Sequence, residues 1–253
     1  MTRVAVTGAT GAMGDAVLNI ATERADVEVD MAITRQDPTA VPYDVTVVSP
    51  HDLEAERIDA VDVIVDFTVP EGSLRVMEAA RQAGVGVVTG TTGFTDEQFD
   101  EIEVAAHDIP VLHAANFSRG VQALNAALET VLERVPTYDI EVTETHHNRK
   151  RDAPSGTANQ LLETIEAARP DAERVHGRSG EQSRSAGDIG VHARRAGTIT
   201  GEHEILLAGN HEEVRLVHRA ESRGVFAAGA LDAATWIEGK PSGWYRFADV
   251  INT

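Results

Sequence analysis

A glycine-rich segment near the start of the chain restricts the fold more than any other feature. Residues 8–14 read Gly-Ala-Thr-Gly-Ala-Met-Gly, between the apolar run Arg3 to Thr7 and a helical pattern over Asp15 to Arg24. Glycines in this strand–turn–helix context permit a tight turn and close approach of a phosphate to the helix N-terminus. The pattern predicts the first turn of a Rossmann-type dinucleotide-binding sheet. An ordinary glycine-rich βα turn is the alternative.

Strand-like and helical segments alternate through residue 115. Helices are predicted after Pro70 and Thr95, and Gln98 stands where a capping box would place it. Short apolar runs predict strands at 27–33, 45–48, 61–67, 85–89 and 109–114. This alternation indicates a doubly wound parallel sheet with helices on both faces.

The pattern changes after residue 116. Helices are expected at 120–134, 157–168 and 226–236, and strands at 138–144, 198–207 and 213–219. Residues 174–197 are rich in Gly, Arg and Ser, which predicts a long functional or mobile loop. The fold class expected is therefore α/β, with an α+β second domain built on a mixed sheet.

The charge balance excludes several kinds of partner. The chain has 253 residues, with 41 acidic residues against 22 basic ones and a formal net charge of −19. Such a surface repels nucleic acid and anionic membranes. No apolar run approaches the roughly 20 residues of a membrane span, and the N-terminus does not resemble a signal peptide. With no cysteine in the chain, a cytoplasmic location is expected.

The same acidity points to adaptation to high salt. Dense carboxylates keep a protein soluble in brine, where screening limits their mutual repulsion. Lysine occurs only at Lys150 and Lys240, the other basic residues being arginine. The alternative is an acidic cytosolic enzyme encoded by a GC-rich genome.

The end of the second predicted strand bears on cofactor choice. Sites that prefer NAD usually carry an acid here, which binds the ribose 2′-hydroxyl. This chain has Thr34 and Arg35, and a guanidinium can pair with a 2′-phosphate. We expect NADPH to be preferred and NADH to be an accepted second cofactor. The alternative is that Arg35 is only a solvated residue.

Residues 144–158 form the second chemistry-bearing segment. His146, His147 and Lys150 suit acid–base work and carboxylate binding. Ser155, Gly156 and Thr157 follow, at the start of a predicted helix that can hold an anion. No further histidine or acid stands at zinc spacing, so we expect no metal. A solvated basic loop is the alternative.

Together these segments resemble the dihydrodipicolinate reductase family over nearly the whole chain. Beyond residues 8–14 and 146–157, the similarity is carried by short motifs. These are Asp66-Phe67-Thr68 with Pro70-Glu71-Gly72, Gly90-Thr91-Thr92-Gly93, Asn116-Phe117-Ser118 with Gly120-Val121, Arg195-Ala196-Gly197 with Gly201-Glu202-His203, and His218-Arg219-Ala220, Ser222-Arg223 and Phe226-Ala227. Some relatives carry an acid at the position of Thr34, and the choice at Asn148 and Arg149 also varies. The cofactor preference of relatives therefore does not transfer to this chain.

The resemblance implies an activity and residue roles. The activity is NAD(P)H-dependent reduction of 4-hydroxy-tetrahydrodipicolinate to tetrahydrodipicolinate, a step of lysine and diaminopimelate biosynthesis. His146 would be the acid–base residue and Lys150 the proton donor, while the substrate carboxylates would be bound by His147, Lys150, Gly156 and Thr157. The cofactor would be lined by Gly8, Ala9, Thr10, Gly11, Ala12, Met13, Thr34, Arg35, Gly90, Thr91, Thr92, Ala114, Ala115, Asn116 and Phe117.

The resemblance also implies the organisation of the molecule. Residues 1–115 with 224–253 would form the dinucleotide-binding domain, and residues 116–223 the substrate-binding and oligomerisation domain. A homotetramer built through the sheet of the second domain would follow.

Two rival functions differ in the residues they need. Short-chain dehydrogenases use a Tyr-x-x-x-Lys pair. The tyrosines of this chain are Tyr43, Tyr138 and Tyr245, and the residues four positions later are Val47, Val142 and Asp249, none of which is lysine. A non-enzymatic redox sensor could use a dinucleotide-binding half alone. It would not need His146, Lys150 and an anion-ready helix start together.

Overall fold

The computed structural model of the chain describes residues 1–51, 53, 58 and 60–251. The chain divides into two compact units, Met1–Phe117 with Arg223–Thr253 and Ser118–Ser222. The ranges expected from the sequence were 1–115 with 224–253 and 116–223. Within the first of these, residues 52, 54–57, 59, 252 and 253 lie outside the described residues.

Strands and helices are numbered along the described chain. The strands are β1 (Thr2–Thr7), β2 (Val27–Ile33), β3 (Thr46–Val48), β4 (Val63–Asp66), β5 (Gly86–Thr89), β6 (Pro110–His113), β7 (Asp139–His146), β8 (Glu173–His176), β9 (Asp188–Arg195), β10 (Gly201–Ala208), β11 (Glu213–Ala220) and β12 (Gly243–Tyr245). The α-helices are α1 (Ala12–Ala21), α2 (Pro70–Ala83), α3 (Asp96–Asp108), α4 (Arg119–Arg134), α5 (Gly156–Ala168), α6 (Gly224–Ile237) and α7 (Phe247–Ile251).

The first unit is built on a parallel sheet in the order β12-β6-β5-β4-β1-β2-β3. Its strands read as apolar runs because both faces are covered. Val17 of α1 and Leu231 of α6 pack in the core on one face, whereas Met77 of α2 and Ile102 of α3 pack on the other. The predicted doubly wound Rossmann-type domain is confirmed.

The winding direction of this sheet reverses between β1 and β4. Strands β2 and β3 extend to one side of β1, and β4, β5, β6 and β12 extend to the other. Ligands of open α/β sheets bind outside the carboxyl ends of the strands at such a switch point. The glycine-rich turn follows β1 at this point.

The second unit is built on a mixed sheet in the order β11-β10-β7-β9-β8. Strand β10 is antiparallel to both neighbours, whereas β7, β9 and β8 run parallel. Leu128 of α4 and Leu161 of α5 pack with Ile205 of β10 in the core. Residues of β10 alternate between buried and half-buried positions, so the opposite face of this sheet is left uncovered by these helices. The predicted mixed sheet is confirmed.

The long loop predicted at 174–197 is wrong in part, because most of β8 and all of β9 lie within it. The apolar residues of β9 are buried in the core of this unit, and charged side chains hold the segment between β8 and β9. Arg178 and Arg184 both form ion pairs with Glu141 of β7. Gly190 of β9 has no Cβ, and a Cβ there would overlap the Glu141 carboxylate. Partners so distant along the chain leave no local pattern in the sequence.

Two neighbours on α3 give a test of this packing. Ile102 is fully buried between the sheet and α2, whereas Val104 is 63% exposed. Ile102→Ala should lower the free energy of unfolding by about 2–5 kcal/mol, through lost burial and a residual cavity. Urea denaturation at fixed salt measures this. Val104→Ala is the matched control and should change stability by less than about 0.5 kcal/mol; equal losses would contradict the assignment of the buried face.

Candidate active site

The glycine-rich turn has the shape of an anion cradle. Gly8 has φ +67°, and a Cβ there would lie 2.5 Å from the Phe67 carbonyl oxygen. A Cβ at Gly14 would overlap the Gly8 carbonyl. Helix α1 begins after Gly11 with no side-chain cap, so the N–H groups of its first turn can take an external acceptor. These residues fit a pyrophosphate, the group a nicotinamide dinucleotide would place here.

Thr34 is tied to this turn, whereas Arg35 is not. The hydroxyl groups of Thr10 and Thr34 lie 2.8 Å apart, and the Gln36 N–H donates to Thr34 Oγ1 at 3.1 Å. Thr34 is buried and Arg35 is exposed. The side chain of Arg35 is thus open to solvent at this strand end, whereas Thr34 is engaged by the glycine-rich turn.

A buried carboxylate connects three strand ends of the first unit. Asp66 closes β4 and is fully buried. Threonine hydroxyls donate to it from the end of β1, the end of β5 and the segments just beyond β4 and β5. These are Thr7 at 2.5 Å, Thr68 at 2.8 Å, Thr89 at 2.8 Å and Thr91 at 2.9 Å. Sequence reasoning did not assign Asp66 a role, although an acid closing a buried strand is an unusual residue.

The turn after β5 is held against Phe67. A Cβ at Gly90 would overlap the Phe67 ring, so glycine is required for this contact. Phe67 meets Phe117 edge-on with centroids 5.8 Å apart, and Phe117 meets Phe247 at 5.2 Å. Phe117 is 1% exposed. Its side chain is thus a core element that supports the segment 114–117.

A second buried carboxylate organises the other unit. Glu144 of β7 is 1% exposed and accepts from His146 Nδ1 at 2.5 Å. Arg195 of β9 donates from both Nη atoms, at 2.7 and 2.8 Å, in a bidentate pair. The Ser155 N–H donates to Glu144 Oε1 at 3.2 Å. Burial alone would raise the pKa of Glu144, but the hydrogen bonds from His146 and Arg195 lower it to about 2.

A buried histidine supports the start of α5. Ser155 caps this helix by accepting from the Ala158 N–H at 3.2 Å, and its hydroxyl lies 3.1 Å from His203 Nε2. The His203 ring is 3% exposed and meets the His146 ring edge-on at 5.2 Å. Burial, followed by the charge of His146, lowers the pKa of His203 to about 4. His203 therefore stays neutral at physiological pH.

The same arrangement recurs at the start of α4. Ser118 caps that helix by accepting from the Val121 N–H, and its hydroxyl lies 3.1 Å from His218 Nε2. Burial lowers the pKa of His218 as well. Gly120 leaves room for this ring, because a Cβ there would lie 2.7 Å from His218 Cδ2.

The predicted substrate residues lie together around the end of β7. His146 closes the strand, and half-buried His147 follows it. The ammonium group of Lys150 lies 2.8 Å from the Asp152 carboxylate. Gly156, at the first position of α5, is exposed with open space around its Cα. The site thus combines an imidazole, an ammonium group and an open helix N-terminus.

The described residues contain no group of three or more His, Cys, Asp or Glu side chains placed to hold a metal. Among them we also find no helical segment with the length and hydropathy of a transmembrane span.

Comparison with known proteins relates both units to one family. The model of the dihydrodipicolinate reductase N-terminus matches residues 2–117, and the model of its C-terminus matches residues 120–251. The 4-hydroxy-tetrahydrodipicolinate reductase of Haloarcula marismortui is 52% identical over 253 residues, covering 100% of both chains. That of Natronomonas pharaonis is 49% identical over 249 residues, covering 98% of this chain and 99% of the relative.

A solved structure shows the same relationship. The dipicolinate-bound dihydrodipicolinate reductase from Paenisporosarcina sp. TG-14 superposes with a TM-score of 0.78 at 26% sequence identity. The match covers 97% of each chain.

The depressed pKa of His203 predicts a pH dependence of stability. Its ordinary value is near 6.5, so between about pH 6.5 and 4 the unfolded chain takes up a proton that the folded protein does not. Stability should therefore be lost as the pH falls through this window. His203→Gln keeps an amide donor for Ser155 and should show a smaller loss, measured as the urea midpoint at each pH. The same pH dependence in both proteins would contradict this assignment.

Proposed function

This chain belongs to the dihydrodipicolinate reductase family, and on that basis we propose that it reduces 4-hydroxy-tetrahydrodipicolinate with NAD(P)H. The substrate gains a hydride and a proton and loses water, which yields tetrahydrodipicolinate for lysine and diaminopimelate biosynthesis. The observation that carries the proposal is the pairing of a Glu144-anchored histidine with the open start of α5.

The first unit holds the dinucleotide in this proposal. When bound, NAD(P)H supplies the hydride. The turn at 8–13 accepts the pyrophosphate through its backbone N–H groups, because the glycines bring the main chain close to it. Gly90, Thr91 and Thr92, together with 114–117, line the remainder of the site. The Asp66–threonine cluster holds the turn after β5 in place through Thr91.

NADPH is the proposed preferred cofactor. The Thr34 side chain carries no charge that would repel a 2′-phosphate, and its hydroxyl is already bound to the glycine turn through Thr10. Exposed Arg35 can pair with that phosphate. NADH lacks the 2′-phosphate and would bind without this ion pair.

The second unit binds the substrate and supplies the residues for proton transfer. His147, Lys150, Gly156 and Thr157 bind the two carboxylates, through side-chain cations and the N–H groups at the start of α5. Lys150 donates the proton that accompanies the hydride, and its charge stabilises the electron-rich ring. His146 acts as the acid–base residue through Nε2, because Nδ1 is engaged by Glu144.

Family membership gives no support to a non-enzymatic redox sensor, the alternative left by the sequence. Both halves of the chain match the reductase models, and the second half carries the residues that a sensor would not need. A short-chain dehydrogenase remains excluded by the absence of a Tyr-x-x-x-Lys pair.

We propose that the active form is a homotetramer associated through the uncovered face of the second sheet. Val217 on this face is 54% exposed, and the cross-strand ion pairs Arg215–Glu204 and Arg194–Glu202 lie on the same face.

We also propose a cytoplasmic location without nucleic-acid or membrane partners. The net charge of −19 supports the absence of these two kinds of partner, because both carry negative charge. The relatives from halophilic archaea support activity in brine.

An absorbance assay of dinucleotide oxidation tests the proposed reaction. The substrate is generated in place from pyruvate and aspartate semialdehyde, and the salt concentration is raised stepwise into the molar range. We expect oxidation that depends on substrate, with a higher kcat/KM for NADPH than for NADH. No oxidation at any salt concentration would overturn the proposed function, whereas a preference for NADH would overturn the role of Arg35 alone.

The two lysines of the chain provide a matched pair of variants. Lys150→Ala removes the proton donor and a carboxylate partner, so kcat/KM should fall by about 10²-fold or more. The dissociation constant for NADPH should be unchanged, as measured by fluorescence titration. Lys240→Ala is the control, because this residue packs over the Trp236 ring in the first unit. Equal activity of the two variants would contradict the role of Lys150.

A further inference from the structure

Glu144 is a buried charge that the reaction itself does not require, and its contacts are directed at the acid–base histidine. We propose that Glu144 is a positioning residue: it holds His146 with a proton on Nδ1 and keeps Nε2 directed to the reacting side. This inference rests on the proposed function, because it assigns His146 its working atom.

The geometry leaves His146 little freedom. Nδ1 lies 2.5 Å from Glu144 Oε2, and an ionised carboxylate can only accept, so Nδ1 must carry the proton. The opposite atom, Nε2, faces Gly201 of β10, where an added Cβ would lie 3.1 Å away. The edge-on contact with the His203 ring fixes the plane of the imidazole. The absence of a side chain at Gly201 thus leaves Nε2 as the unobstructed nitrogen.

Arg195 fixes the carboxylate in turn. Its bidentate pair with Glu144 allows one orientation of the two oxygens, and its Nη2 also donates to the Asp152 carbonyl at 2.5 Å. Arg195 therefore connects β9, β7 and the loop that carries Lys150. A lysine at position 195 could not reproduce this two-point contact.

Charged and titratable groups face His146 from several elements. Glu144 lies on the same strand, Arg195 on β9, His203 on β10, and Lys150 and Asp152 in the following loop. Glu144 is the group that holds the ring by a direct hydrogen bond, at Nδ1. His203, whose pKa burial lowers to about 4, is neutral at physiological pH and adds no charge beside the ring.

The same carboxylate also sets the start of α5. Glu144 Oε1 accepts from the Ser155 N–H, one residue before the open position at Gly156. A single group thereby holds both the imidazole that moves the proton and the helix start proposed to bind a substrate carboxylate. Glu144 therefore fixes the position of the His146 ring relative to the start of α5.

A double-mutant cycle tests whether Glu144 acts through His146. Glu144→Gln keeps the length and an acceptor oxygen but removes the charge. We expect kcat to fall by roughly 10- to 100-fold, the size found for groups that orient a working side chain. In a His146→Gln background the same substitution should lower kcat by less than about twofold, since the residue it positions is gone and the glutamine oxygen can still accept from the Ser155 N–H.

Glu141→Gln is the matched control. Glu141 lies on the same strand with its side chain on the opposite face, and it binds Arg178, Arg184 and His192. Glu141→Gln therefore disturbs three ion-pair partners, against two for Glu144→Gln, without contacting His146. We expect it to lower the urea midpoint while kcat is unchanged.

A chemical readout keeps the inference separate from turnover. Carbethoxylation of His146 by diethyl pyrocarbonate, located by mass spectrometry, requires an unprotonated nitrogen that is oriented outward. At a pH well above the ordinary pKa of histidine, Glu144→Gln should slow this modification several-fold in folded protein, because the glutamine N–H can donate to Nδ1 and leave the proton on Nε2. Glu141→Gln should not slow it. Unchanged kcat and unchanged modification in Glu144→Gln, or an equal loss of kcat in the presence and absence of His146, would overturn the positioning role. A wild-type protein that modifies as expected but shows no turnover would instead contradict the proposed function.

Discussion

A carboxylate that is buried away from water must accept hydrogen bonds from the protein instead. One such carboxylate holds segments of the chain together in each of the two units. In the first unit Asp66 collects threonine hydroxyls from the ends of β1 and β5 and from the turns beyond β4 and β5. In the second, Glu144 collects His146, Arg195 and the Ser155 N–H. In each case the carboxylate fixes the segments from which the proposed ligand contacts are made.

The two carboxylates differ in the kind of partner they use. Asp66 is held by neutral hydroxyl groups, which suits a group that shapes a turn without taking part in proton transfer. Glu144 is held by a guanidinium and an imidazole, so it combines structural contacts with control over a titratable ring. Together with Arg195, residues 144–152 carry four basic side chains against two carboxylates, so the substrate segment is locally cationic in a chain of net charge −19. A dianionic substrate requires such a local reversal of charge.

The fold could be predicted from the sequence where its causes are local. The glycine turn, the strand–helix alternation and the capping box at Thr95 are all encoded within a few residues, and the structure contains each of them. The loop predicted at 174–197 was wrong in part because β9 pairs with β7 and packs in the core, contacts with distant parts of the chain that a Gly-, Arg- and Ser-rich composition does not reveal. The short strand β12 and helix α7 were missed, since neither is long enough to show a period. Similarly, the roles of Asp66 and Glu144 depend on partners 59 and 51 residues away, Thr7 and Arg195.

The proposed reaction requires direct transfer of hydride from a dinucleotide to the ring of the substrate. The most direct measurement uses NADPH carrying deuterium at both C4 positions of the dihydronicotinamide, with the tetrahydrodipicolinate product analysed by mass spectrometry. We predict a product that carries a single deuterium on a ring carbon. A product without deuterium, formed while the cofactor is oxidised, would contradict direct transfer. It would also contradict the proposed roles of the first unit in binding the dinucleotide and of the second in binding the substrate.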